Sequence, residues 1–169
     1  MKTRAITAVL AFAALGYGLP ATADDSLVSF DNGFGVHPVA GIANNAPVLN
    51  TVRGVTPGGR PWAIHKLRAR VGADGSISVN GEGLVLAGSD NIGTRAGILQ
   101  VAASLFCGTA RFDSPAADIS LGGDFEIRGM LSAIPPDPCT SPALLIRNAT
   151  GGVLGSWFAG GTLADPKDD

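Results

Sequence analysis

Side chains that do chemistry are scarce in this 169-residue sequence, which holds two histidines, two cysteines and one tyrosine and is only 15% charged. It contains no G-x-S-x-G, H-E-x-x-H, C-x-x-C, P-loop or EF-hand spacing, so no hydrolase, zinc, redox, nucleotide or calcium motif can be read in it. Asp31, Asp90 and Asp137 are too scattered to outline a calcium cage. No catalytic, cofactor-binding or metal-ligating residue is assigned from the sequence, and no cofactor is expected. No segment reaches the roughly 18 uninterrupted apolar residues of a membrane-spanning helix. A formal net charge of −2 argues against nucleic acid or an anionic membrane as partner.

What is present is a chain able to fold. Hydrophobic residues make up 46% of it, so the polar, highly charged signature of disorder is missing. Its 24 glycines and 11 prolines promise many tight turns. Lys2 and Arg4 precede an apolar run from Ala5 to Leu15, and Ala21-Thr22-Ala23 follows. This is the pattern of a secretory signal peptide over residues 1–23, cut after Ala23, which would deliver a soluble protein to the periplasm or the exterior. Losing Lys2 and Arg4 takes the charge from −2 to −4. In an oxidising compartment Cys107 and Cys139 are expected to pair. A metal site there would lack its remaining ligands, and a reactive thiol would lack a histidine nearby in sequence.

The mature part shows no sustained helical period, whereas several stretches alternate cleanly and are broken by Gly, Pro, Asn and Asp. Register then follows from asking which loop length sets apolar residues opposite one another. A loop Ala73-Asp74-Gly75 pairs Val71 with Ile77 and Ala69 with Val79, with Gly75 left-handed. A glycine-first turn Gly108-Thr109 pairs Cys107 with Ala110 and Leu105 with Phe112. A loop Gly122-Gly123-Asp124 pairs Leu121 with Phe125 and Ile119 with Ile127, setting Asp118 opposite Arg128. Further strands are expected at about 48–55, 143–147 and 153–158. The expected fold is all-β, an antiparallel β-sandwich with one disulfide, immunoglobulin-like only in the broad sense because no tryptophan lies between the cysteines; a closed barrel is the main competitor. The sandwich is assigned to 47–163, with a flexible N-terminal segment at 24–46 and a loose C-terminal tail at 164–169.

The run from Val52 through Gly58-Gly59-Arg60-Pro61-Trp62, the strand end Ala103-Ser104-Leu105-Phe106-Cys107, and Pro138-Cys139 followed by Ala143-Leu144-Leu145-Ile146 resemble an uncharacterised family of exported bacterial two-cysteine β-sandwich proteins. The resemblance spans about 50–160. It implies a two-cysteine β domain behind a signal peptide and transfers no catalytic residue.

Four features are candidates for function. Lys66, Arg68 and Arg70 point outward on one strand and form a candidate anion-binding stripe, although register sets Lys66 opposite Glu82. A parity change between Ile64 and Leu67 predicts a bulge at His65-Lys66, which would make His65 the one histidine placed for acid-base work. Trp62 and Trp157 suit either a sugar-stacking platform or, as Trp62's parity with Ile64 favours, core packing. Residues 87–97 form the longest polar loop, where binding residues tend to concentrate. The leading reading is an exported, non-enzymatic module that binds an unknown protein or glycan of the cell envelope. The alternative is an extracellular enzyme of unrecognised type using His65.

Overall fold

The computed structural model describes residues 26–164; the expected signal peptide, and the expected tail apart from Ala164, lie outside the described residues. Thirteen strands are described: β1 (Ser26–Gly35), β2 (Val39–Ala43), β3 (Ala46–Leu49), β4 (Trp62–Ala63), β5 (Lys66–Gly72), β6 (Ser76–Glu82), β7 (Val85–Leu86), β8 (Gln100–Cys107), β9 (Ala110–Asp113), β10 (Ala117–Asp118), β11 (Phe125–Met130), β12 (Ala143–Asn148) and β13 (Trp157–Leu163). One antiparallel sheet runs β10-β8-β12-β13-β1-β5-β6-β11, with β9 also on β8, while β2–β3 and β4–β7 are separate pairs. The large sheet curls until its ends approach. An Ile119–Phe125 bridge joins them, and the Ser132 N–H donates to the Asp113 carbonyl at 2.8 Å. This single curled sheet is compatible with a sandwich, its inner face enclosing one core.

Two of the three hairpins have the expected register. β5 and β6 pair Val71 with Ile77 and Ala69 with Val79, and Gly75 is left-handed at φ +86°. β8 and β9 pair Cys107 with Ala110 and Leu105 with Phe112. Gly108 has φ +61° while Thr109 stays out of the left-handed region, as a type II′ turn requires.

The third hairpin differs: Phe125 lies opposite Ile119 rather than Leu121, the loop lengthens to Ser120–Asp124, and Leu121 is left 80% exposed. Alternation excludes only odd slips, since a shift of two residues keeps every side chain on its face. The longer loop is bonded internally through Ser120 N–H to the Asp124 carbonyl at 2.8 Å. Asp118 therefore meets Gln100 of β8 at 3.0 Å instead of Arg128, which turns to Glu126.

Other boundaries also shift. Residues 24–46, expected to be flexible and outside the sheets, supply β1, a central strand between β13 and β5. Arg53 at φ +50° and Gly54 at φ +78° turn the chain where a strand over 48–55 was expected. The last strand starts at Trp157 rather than Val153, because the Leu154 and Gly155 carbonyls are taken by the Arg147 guanidinium. The parity change at His65 is a break between β4 and β5, which belong to different sheets, and not a bulge within one strand.

The core follows from alternation. Leu67, Ala69 and Val71 of β5 and Ile77 and Val79 of β6 are buried, as are Phe30, Val101, Leu105, Ile127, Leu144 and Ile146. Burying each such large side chain contributes about 1.5–3 kcal/mol. Trp62 of β4 stacks on Phe158 of β13 with ring centroids 4.3 Å apart, which packs the β4–β7 pair against the large sheet. Cys107 and Cys139 form the expected disulfide, which ties the proline-rich 134–142 connection to the end of β8.

Candidate functional site

The most unusual surface is the β2–β3 hairpin. Asn44 and Asn45 are both left-handed, at φ +49° and +58°, which is the type I′ geometry that matches strand twist and that asparagine tolerates. The ladder sets Val39 opposite Leu49, Gly41 opposite Val48 and Ala43 opposite Ala46. Every one of these strand residues is exposed, including Ile42 at 71% and Leu49 at 55%, so the hairpin stands off the body as an arm. No Asp, Glu, Lys or Arg occurs from Asn32 to Val52. Asn50 holds the stem: its N–H donates to the Pro38 carbonyl at 2.9 Å, its side-chain amide to the His37 carbonyl at 3.1 Å, and its own carbonyl accepts the Trp157 indole N–H at 3.1 Å. Phe34 and Val52, just outside the stem, line an apolar groove of about 390 Å³ with Leu145, Trp157 and Leu163. Phe34 meets the Trp157 ring edge-on at 6.3 Å.

The arm's two edges differ. β3 carries Pro47, which has no N–H to offer a further strand, whereas β2 contains no proline and, among the described residues, pairs only with β3. The β2 edge is therefore the one open to strand addition.

The residues singled out from sequence lie elsewhere. Lys66 pairs with Glu82 at 3.0 Å, as the register required, and Arg68 pairs with Asp31 of β1 at 2.6 Å. Arg68 and Arg70 line, with Asp31, a cleft of about 220 Å³. His65 is exposed, and its backbone N–H donates to the Glu82 carbonyl at 2.9 Å. Trp62 and Trp157 are buried, at 5% and 1% exposure, so they pack the interior as Trp62's parity favoured. The 87–97 loop folds back on β7, the Leu86 N–H donating to the Thr94 carbonyl and the Gly93 N–H to the Leu86 carbonyl, each at 2.9 Å.

The arm escaped the sequence reading because its strands are short and uncharged on both faces, which gives no apolar-in, polar-out alternation to read. The available signal was the Asn44-Asn45 pair inside a long uncharged stretch. Among the described residues no group of three or more His, Cys, Asp or Glu is placed to hold a metal ion, and no helix is long and apolar enough to cross a membrane. Compared with known proteins, the chain matches no family model, no curated protein and no solved structure.

Proposed function

We propose that this chain is a non-enzymatic module of an exported compartment whose role is protein–protein contact through the β2–β3 arm, and that a second copy of the chain occupies the free β2 edge. The observation that carries the reading is the arm itself, nine strand residues without charge or burial. A lone two-stranded hairpin is marginal in water, and three or more strands are needed for stability. Antiparallel pairing of β2 with β2 of another copy about a twofold axis makes a four-stranded sheet and satisfies the edge. A copy suits this edge as occupant because the arm carries no charge of its own: with no Asp, Glu, Lys or Arg between Asn32 and Val52, two apposed arms bring no like charges into contact. The disulfide is consistent with the export that the N-terminal sequence implies.

Sedimentation velocity of residues 24–169 over a range of concentrations tests the reading. The expected result is reversible dimerisation that is lost in Ile42→Lys/Val48→Lys and retained in Leu121→Lys, which alters an exposed apolar residue away from the arm. A chain that stays monomeric throughout, or a dimer indifferent to the arm substitutions, overturns it.

A further inference from the structure

On the outer side of β8, β9 and β12, residues distant in sequence bring three guanidinium groups to one cleft of about 330 Å³: Arg53 from the turn after β3, Arg111 from β9 and Arg147 from β12. Arg147 is the only buried charged side chain among the described residues, at 5% exposure. Its Nε donates to the Gly155 carbonyl at 2.9 Å, its Nη2 to the Leu154 carbonyl at 3.1 Å and its Nη1 to the Ser104 hydroxyl at 3.3 Å. Those bonds fix the guanidinium plane, and three of its five N–H groups satisfy them.

The nearby negative charge is Asp113, and it is shared. Its Oδ1 accepts the Ser104 hydroxyl proton at 2.6 Å, and its Oδ2 pairs with Arg111 Nε at 3.2 Å. Arg147 reaches this carboxylate only through Ser104. Burial, together with the like charge of Arg111, pushes the Arg147 guanidinium below its ordinary range against the opposing pull of Asp113. Arginine nonetheless stays charged at any physiological pH. Arg53 holds the other wall, its Nη2 donating to the Ser141 carbonyl at 3.0 Å. Three cations against one carboxylate leave two positive charges in excess. The Thr56 and Ser156 hydroxyls also line the cleft.

We propose that Arg53, Arg111 and Arg147 form a binding site for a phosphate dianion, either free or at the end of a monoester. An excess of two charges matches a doubly ionised phosphate better than a monovalent carboxylate. Planar guanidinium forks held in place before binding are the groups that grip such oxyanions most specifically. The site is independent of the arm and of the Lys66, Arg68 and Arg70 stripe.

Calorimetric titration of residues 24–169 with inorganic phosphate, phenyl phosphate and acetate at low ionic strength tests this. Both phosphates should bind at about pH 7.5 and weaken towards pH 5, because each takes up its second proton within that span, the monoester near pH 6. Acetate should bind more weakly than either. Neither histidine lines the cleft, so the pH dependence belongs to the ligand. Arg53→Gln and Arg111→Gln alter exposed side chains and leave buried Arg147 in place; each should weaken phosphate binding about tenfold, while Arg68→Gln should leave it unchanged. Phosphate that fails to bind, binds no better than acetate, or responds to Arg68→Gln but not to Arg53→Gln and Arg111→Gln overturns the proposal. Inorganic phosphate bound without phenyl phosphate confines the site to the free ion, and the reverse result confines it to the ester.

Discussion

Gly75 closes the β5–β6 hairpin at φ +86°, a conformation that costs a residue with a Cβ about 1–2 kcal/mol. A Cβ built there would sit 3.4 Å from Ile134 Cα, an ordinary contact, so backbone conformation and not space sets the penalty. Gly75→Val should lower unfolding free energy by about 1–2 kcal/mol in chemical denaturation, whereas Ser78→Val on the exposed face of β6 should change it little; equal effects would show that the left-handed turn is not the cause. Asp74 supports the same turn. Its carboxylate accepts the Ser76 N–H at 2.8 Å, and bonding from Ser76 holds its pKa below the ordinary carboxylate range. Gly35 is a glycine for another reason, because a Cβ there would lie 1.9 Å from the Trp62 carbonyl oxygen. The left-handed glycine was legible in sequence because a turn is a local object. The close approach at Gly35 was not, since it depends on where β4 crosses β1.

Among the elements, β10 and β11 show how far alternation reaches. Both Leu121 and Phe125 lie on the parity that suits the core, yet Phe125 is buried at 4% and Leu121 is 80% exposed. Phe125 lies across from Gly81 of β6, where the absent side chain leaves room for the ring. Phe125→Ala should therefore cost about 3–5 kcal/mol and Leu121→Ser less than about 0.5 kcal/mol, both read from denaturation midpoints at unchanged slope. Comparable losses at the two positions would restore the shorter loop. The β5–β6 register was readable because a tight turn limits the options to slips of one residue, and each of those reverses the faces. The arm obeys no such rule, since neither of its faces is buried.

For the whole molecule, the 32-residue separation of Cys107 and Cys139 means that the disulfide restricts the unfolded chain by about 3–4 kcal/mol on chain-entropy grounds. Reduction should lower the melting temperature markedly without removing the all-β circular dichroism signature; thiols that titrate freely in the native, unreduced protein would contradict the pairing. By itself, the sequence determined the all-β class, the cysteine pair, the two tight hairpins and the scarcity of chemistry-bearing side chains, because composition, alternation and turn residues act over a few positions. Only the tertiary structure decided that β1 enters the middle of the sheet and that the sheet curls as one piece until β10 and β11 meet. It alone raised an uncharged arm clear of the body and brought Arg53, Arg111 and Arg147 to one cleft. These outcomes depend on which distant strands share a ladder, and that is settled by the collective burial of a core to which every strand of the large sheet contributes.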